Sequence, residues 1–395
     1  MDIKEESLKL HKKYNGKLEI KSKVSIKDNN DLALAYTPGV AYVCKEIEND
    51  KNLAYDYTSK SNMVAVISDG SAVLGLGNIG PYGAIPVMEG KSILMKELAN
   101  VDSIPLCLNT QDCEEIIRTC KILEPTLGAI NLEDISAPRC IEIERRLQNE
   151  LDIPVFHDDQ HGTAIVVCAA FKNIERLTKK PLKDMTVVMS GTGAAGSQIA
   201  KMLKYIGVGK IYAFDITGVI DRAKYDSYNF LIKELIDEGV YDTPENHDNT
   251  LASILKNANA FVGVSAPNLV TKEMVKSMSK DPIVFALANP SPEIGYNDAK
   301  EAGAFVAASG RSDFPNQINN ILAFPGLFKG ALSVRASKIN YEMQIAACNA
   351  IASLISDDEL NSDYIIPSPF DKRVVEAVSK AVSKAAIDTH VCKIK

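Results

Sequence analysis

Between Met185 and Asp215 the order of residue types leaves few folds open. An apolar run, Met185–Ser190, leads into Gly191-Thr192-Gly193-Ala194-Ala195-Gly196; a helical stretch, Ala194–Ile206, opens on that loop, and a second apolar run, Lys210–Phe214, ends at Asp215. Strand, GxGxxG turn, helix and strand form one βαβ unit, with parallel strands joined by a right-handed crossover. The small residues let the backbone approach a pyrophosphate at the helix N-terminus. An acid 24 residues past the first glycine is placed to accept from a ribose 2′-hydroxyl. The residues predict a dinucleotide site on Gly191–Gly196 and Asp215. Further apolar runs at Ala260–Val264, Pro282–Ala286 and Ala304–Ala308 extend the sheet. Their polar ends face the ligand crevice, which makes Asn289, before Pro290, a candidate donor to cofactor or substrate.

A chain of 395 residues exceeds one ordinary core and predicts two domains, an N-terminal α/β domain over residues 1–160 and the cofactor domain over 161–395. Helical stretches at Leu327–Ile355 and Val374–Ile387 are expected to pack back on the first half. A net charge of -7 without a basic patch argues against nucleic acid. The eight cysteines show no CxxC pair or framework spacing and read as free thiols in a reducing compartment. With no secretory h-region and no apolar run long enough to span a bilayer, the expectation is a cytoplasmic protein.

Upstream, two acidic pairs, Glu133-Asp134 and Asp158-Asp159, stand 23 residues apart. Each ends a short apolar run, Leu127–Leu132 and Ile153–Phe156, that reads as a buried strand. Between them Ile141, Ile143, Leu147 and Leu151 alternate with Glu142, Glu144, Arg145, Arg146 and Glu150, as on an amphipathic helix. A right-handed crossover would set both pairs at the carboxyl edge of one parallel sheet. Oxygen ligands gathered there suit Mg²⁺ or Mn²⁺. Solvated loop carboxylates are the competing reading, and this segment alone does not decide between them.

Earlier still, Gly75, Gly77 and Gly80 repeat the GxGxxG spacing, but Pro81 and Pro86 follow. No long helix is expected there, and the stretch reads as a tight loop near a ligand. The next helix is expected over Lys91–Ala99, with Lys91 in its first turn against the helix dipole; an exposed lysine is the bland alternative to a functional one. Tyr36 precedes the Pro38-Gly39 break and is expected to be buried with its hydroxyl satisfied.

A nicotinamide-type cofactor fold, a carboxylate metal site and a lysine–tyrosine pair together fit oxidation and decarboxylation of a β-carboxy-2-hydroxy acid, of which malate is the smallest common example. The motifs Tyr36-Thr37-Pro38-Gly39-Val40-Ala41, Asp69-Gly70, Leu74-Gly75-Leu76-Gly77-Asn78 and Glu89-Gly90-Lys91 resemble those of malic enzymes of the short bacterial type. Asn131-Leu132-Glu133-Asp134, Phe156–Thr163, Ala288-Asn289-Pro290 and Asn320–Gly326 continue the likeness over nearly the whole chain. The resemblance implies a catalytic α/β domain followed by a Rossmann-type NAD(P)-binding domain. It implies conversion of L-malate to pyruvate and CO₂ through oxaloacetate and enolpyruvate, and a homodimer or dimer-based oligomer. It further implies that Glu133, Asp134 and Asp159 bind Mg²⁺ or Mn²⁺, that Lys91 is the general base and Tyr36 the general acid. Asp158 would orient Lys91, and Asn289 and Asn320 would hold substrate carboxylate or the nicotinamide end.

One departure stands out. Longer family members place an arginine shortly after the Asp-Gly, where Ser71-Ala72-Val73 stands here; substrate anchoring must differ, through Ser71 and loop amides or a basic group from a neighbouring subunit, with Lys60 and Arg311 as weaker candidates. Asp215 without an adjacent basic residue favours NAD over NADP, although Arg222 or Lys224 could reach a 2′-phosphate. The rival readings are a zinc hydrolase on His157 and His161, a Rossmann ligand sensor, and a dehydrogenase of another hydroxy acid. The hydrolase reading is weakened because His157-Asp158-Asp159-Gln160-His161 directly follows a strand and lacks the motif's glutamate.

Overall fold

The computed structural model describes residues 3–73 and 75–394; Leu74, within the first glycine loop, lies outside them. Two sheets organise the chain. The first is four parallel strands, β1 (Met63–Ser68), β2 (Asp102–Cys107), β3 (Ala129–Leu132) and β4 (Val155–His157), in the order β2-β1-β3-β4. Its chain path reverses at β1, so Asp69 and Glu133, just beyond β1 and β3, flank the switch point where ligand crevices form.

The second sheet contains β5 (Thr186–Ser190), β6 (Lys210–Asp215), β7 (Gly218–Val219), β8 (Ala260–Gly263), β9 (Ile283–Ala286) and β10 (Val306–Ser309), ordered β10-β9-β8-β5-β6-β7. All pair in parallel except β7, which runs antiparallel to β6. Here the path reverses between β5 and β8, beside Gly191. A Cβ on Gly196 would lie 1.9 Å from the Gly191 carbonyl oxygen, so helix Ala194–Tyr205 packs this closely on the loop only with glycine there.

The β1, β3, β5, β8 and β9 strands are buried almost throughout, as expected for parallel strands covered on both faces. Helix Asp158–Thr178 joins the sheets and packs along helices Ala194–Tyr205 and Tyr341–Ser353. One continuous apolar core runs through both halves, and a smaller one lies on the other face of the second sheet. Helices Phe324–Ser333, Tyr341–Ser353 and Arg373–Asp388 pack together, and the first also meets helix Gly80–Ala99. The C-terminal segment therefore does return to the first half. Among the described residues no helix is long and apolar enough to cross a membrane.

Three local expectations change. A 20-residue helix, Gly80–Ala99, opens on the first glycine loop after all, so Lys91 lies in its interior. Pro81 sits at the helix start, where its missing N–H costs nothing. Pro86 interrupts the ladder near exposed Tyr82 and Ile85, where water can replace the lost bond. The HDDQH stretch is also helical from Asp158. Finally, helices Ile3–Tyr14, Asn29–Ala35, Val40–Asn49 and Ala54–Tyr57 bury no residue. Tyr36 at the end of the second is 64% exposed, not buried, because the local helix supplies no apolar surface to cover it. The arm is tied down where Lys17 donates from N to Glu89 Oε2 (3.0 Å) and from Nζ to the Pro86 carbonyl (2.6 Å).

Candidate active site

At the end of β3 the Glu133 amide donates to the Ile67 carbonyl (2.9 Å), which fixes Glu133 against β1. Asp134 turns the chain with φ +53°, a left-handed conformation that aspartate tolerates better than most side chains. Its amide donates to Asp159 Oδ2 (2.8 Å), while Asn131 Nδ2 donates to Glu133 Oε2 (2.8 Å). The two acidic pairs thus meet across the β3–β4 edge. One carboxylate oxygen each from Glu133, Asp134 and Asp159 falls within 4.8 Å of the others.

Lys91, 8% exposed, enters from helix Gly80–Ala99. Its Nζ donates to Asp158 Oδ2 (2.7 Å), forms an ion pair with Glu133 Oε1 (2.8 Å) and lies 4.4 Å from the centre of the Phe324 ring. Burial works to lower the lysine pKa, but Asp158, Glu133 and Asp159 outweigh it and hold the ammonium well above the usual range. Glu133 is pushed well above the carboxylate range by burial and by Asp159. Burial pushes Asp158 up to about 6, against the pull of Lys91. Four carboxylates and one ammonium leave an excess of negative charge in a buried pocket, which costs free energy unless a further cation enters. Hard oxygens at this spacing fit Mg²⁺ or Mn²⁺.

Asn320 reaches the same place. A Cβ on Gly162 would lie 3.0 Å from Asn320 Cβ and 2.0 Å from Asp158 Oδ1. Asn319 does turn chemistry, its Oδ1 accepting from the Ile321 amide, whereas buried Asn316 is a long-range bridge: its Nδ2 donates to the Ala307 and Ser362 carbonyls and its Oδ1 accepts from the Ile365 amide.

In the second sheet Gly191 has φ +102° and Thr192 Oγ1 donates to Asp215 Oδ2 (2.7 Å). Asp215 Oδ1 accepts from both the amide and hydroxyl of Thr217 (2.7 Å each). Gly191–Gly196 and Asp215 therefore form one continuous rim. Of the alternative 2′-phosphate partners, Lys224 is hydrogen-bonded to Asn249 (2.6 Å) and Arg222 faces Asp237. Asn289 lies at the meeting of the halves: a Cβ on Gly75 would come within 3.0 Å of its carbonyl oxygen.

Several residues of this region were not singled out from the sequence. Buried Glu144 accepts from the His157 amide (2.8 Å), Gln160 Nε2 (3.2 Å) and His161 Nε2 (2.9 Å), and so holds the start of the helix that carries Asp158 and Asp159. It belongs to the inward stripe Cys140, Glu144, Leu147, and an acid on an apolar stripe was the available signal. Of the two imidazole rings only that of His161 is held by Glu144; both ring nitrogens of buried His157 lack a hydrogen-bond partner among the described residues, and its Nδ1 stands 3.9 Å from Asp159 Oδ2. Arg139 Nη2 lies 2.9 Å from Asp69 Oδ2, Ser71 Oγ and Ser136 Oγ, bringing a cation to the loop that has no arginine of its own. A basic residue opening a helix, against the dipole, could have flagged it. Lys60 instead is locked into the Glu124 and Leu127 carbonyls, and Arg311 pairs with Asp313.

Fold and site together define a two-sheet dinucleotide-binding α/β protein with a lysine–carboxylate centre in the first sheet's crevice. Residues 15–148 match the malic enzyme N-terminal domain, and residues 160–389 match the malic enzyme NAD binding domain. The chain is 55% identical over 394 residues to the bifunctional malic/malolactic enzyme of Bacillus subtilis, covering all of this chain and 95% of that protein. It is 52% identical over 379 residues to the NAD-dependent malic enzyme of Geobacillus stearothermophilus (96% of this chain, 78% of that protein). The crystal structure of the NAD-dependent malic enzyme from Thermotoga maritima superposes with a TM-score of 0.91 at 47% identity, over 95% of this chain and 98% of that one. The chain belongs to the malic enzyme family.

Proposed function

We propose that the protein oxidises L-malate and decarboxylates the product to pyruvate and CO₂, reducing NAD in preference to NADP. The observation that carries this reading is the buried Lys91, hydrogen-bonded to Asp158 and ion-paired with Glu133 beside the Glu133–Asp134–Asp159 oxygens. Mg²⁺ or Mn²⁺ held by those three residues would supply Lewis-acid polarisation of the 2-oxygen. Lys91 takes the 2-hydroxyl proton as C2 gives its hydride to the nicotinamide; it can do so only when the negative field around it is offset and its pKa falls. Asp158 holds the amine in place. The C3–C4 bond then breaks, CO₂ leaves, and its electron pair stays on C3 as an enolate. Tyr36 returns a proton to C3. Asn320, beside Asp158, and Asn289, at the meeting of the halves, orient the substrate carboxylate and the nicotinamide end.

Catalytic and cofactor halves are assigned to residues 1–160 and 161–395. NAD is favoured because Asp215 presents a carboxylate to the ribose and both nearby basic side chains are engaged elsewhere. Tyr36 is exposed and its hydroxyl has no hydrogen-bond partner among the described residues. We therefore infer a homodimer in which a second copy covers the unburied N-terminal helices and encloses this tyrosine. All eight cysteines are free thiols, in keeping with a cytoplasmic setting.

The test is purified protein with L-malate, Mn²⁺ and each cofactor, following reduced cofactor, CO₂ and lactate together. Reduced cofactor and CO₂ in equal amounts are expected. Reduced cofactor without CO₂ would replace the proposal with a simple hydroxy-acid dehydrogenase. NAD binding without any turnover would replace it with a ligand sensor. In parallel, calorimetric titration should show Mn²⁺ binding that Asp159→Ala abolishes; unchanged affinity would remove Asp159 from the ligand set.

A further inference from the structure

Glu293 has no part in the steps above, yet its side chain is fully buried in the floor of the cofactor crevice. Its Oε1 accepts from the Ser265 amide (2.8 Å) and hydroxyl (3.3 Å), and its Oε2 accepts from the Ala288 amide (3.1 Å). Ser265 Oγ lies 2.8 Å from Ser190 Oγ, on the last residue of β5, directly before the Gly191 loop. Gly263 makes the room, since a Cβ there would stand 2.4 Å from Glu293 Cδ. Among the described residues the carboxylate's hydrogen-bond partners are two amides and a hydroxyl, with no cation. Burying a carboxylate in this way is unfavourable compared with an apolar filling of the same space, so stability alone does not account for it.

Ser265 lies beyond β8, and Ala288 lies beyond β9, one residue before Asn289. The Asn289–Pro290 turn is held tightly on its other sides: a Cβ on Gly75 would lie 2.6 Å from Pro290 Cδ, and one on Gly310 would lie 2.9 Å from Asn289 Nδ2. One side chain thus ties the ends of β8 and β9 to each other, and through Ser265 to the end of β5.

We propose that Glu293 is a positioning residue that fixes the Asn289 turn relative to the Gly191 loop and so sets the nicotinamide end of the cofactor against the substrate. It acts through the Ser265 and Ala288 amides and touches neither cofactor nor substrate. The inference rests on the NAD-linked reading proposed above. A carboxylate suits the task because it has only acceptors, and one group can hold two N–H donors on separate loops.

Glu293→Gln tests this at almost constant volume, because the new NH₂ must face one of the two amide N–H groups. In the apo protein, amide hydrogen exchange is expected to quicken at Ser265 and Ala288. NAD affinity, read by fluorescence titration, should stay within about threefold, since Gly191–Gly196 and Asp215 are intact. With malate and Mn²⁺, kcat should fall about ten- to a hundredfold from misalignment of the reacting carbons, and the isotope effect with 2-deuteromalate should rise as hydride transfer becomes limiting. Glu293→Asp, one methylene shorter, reaches only one amide and should show the same pattern more weakly. If Glu293→Gln does not fold, Glu293→Asp decides.

Unchanged exchange, or faster exchange with kcat and isotope effect both unchanged, would overturn the proposal. So would a parallel loss of NAD affinity, kcat and melting temperature, the mark of a purely structural residue. A wild-type protein inactive on malate would instead remove the functional reading, while exchange and NAD affinity would still report on Glu293.

Discussion

Lys91 shows how much a side chain's chemistry depends on what surrounds it. Alone in the sequence it could be any surface lysine; in the fold its ammonium is hydrogen-bonded to Asp158 and ion-paired with Glu133, with almost no exposure. Lys91→Ala removes the proposed base and should lower kcat/KM for malate by about 10²–10⁴-fold, with NAD binding by fluorescence retained; activity within threefold of wild type would rule the base out. Asp215 makes a second claim at this scale. Its oxygens are already fixed by Thr192 and Thr217, so on the proposed reading it would meet a ribose without rearrangement. Losing one charge-assisted hydrogen bond is worth about 1.5–3 kcal/mol, so Asp215→Ser should lower the NAD-to-NADP ratio of kcat/KM by about tenfold or more. An unchanged ratio, measured with both cofactors under identical Mn²⁺, would place cofactor choice elsewhere.

At the level of elements, helix Asp158–Thr178 is the piece on which the site depends. It starts at Asp158, its first turn is held by Glu144 from another helix, and Gly162 gives Asp158 the room it occupies. Glycine-to-alanine inside a helix ordinarily gains about 1 kcal/mol. Here the added Cβ would stand 2.0 Å from Asp158 Oδ1, and such overpacking costs about 1–3 kcal/mol. Gly162→Ala should therefore destabilise the protein in urea unfolding and weaken activity; a stabilised variant with full activity would show that Asp158 moves freely. Helix Gly80–Ala99 carries the opposite lesson, since proline at its start and within it looked like a barrier to helix and was not. At the first position the missing N–H is harmless, and the packing of the Lys91 face outweighs the interruption at Pro86.

For the whole molecule, the unburied N-terminal helices set the main expectation. Exposed Leu8, Leu34, Tyr36 and Tyr42 lie on segments that a single chain leaves uncovered, while Lys91 is enclosed. If the arm of one copy serves the site of another, mixing Tyr36→Phe and Lys91→Ala proteins after unfolding and refolding together should restore activity. Random pairing into two-fold dimers leaves about a quarter of the sites intact, so about a quarter of wild-type kcat is expected. A mixture as inactive as its components would show that each chain supplies its own tyrosine. Sedimentation of the wild type should show a dimer or a multiple of it.

Local periodicity and short spacing were enough to read part of this protein directly from its residues. The βαβ unit at Thr186–Asp215, the strands carrying the acidic pairs, and the amphipathic helix between them are set by neighbours a few residues apart. That both acidic pairs lie at one sheet edge was also legible, because a right-handed crossover sets two consecutive parallel strands in one sheet; which members of the pairs meet was not, and came only from the resemblance. It took the closed fold to show which carboxylates Lys91 touches, that Arg139 reaches the Asp69–Ser71 loop, that Glu144 holds the first turn of the helix carrying Asp158 and Asp159, and that Glu293 bridges two strand ends. Those contacts join residues from 5 apart, as for Ala288 and Glu293, to 70 apart, as for Asp69 and Arg139. They exist only once both sheets have closed on a shared core, and Tyr36, exposed on an arm that buries no residue, is the one proposed catalytic group that this core does not enclose.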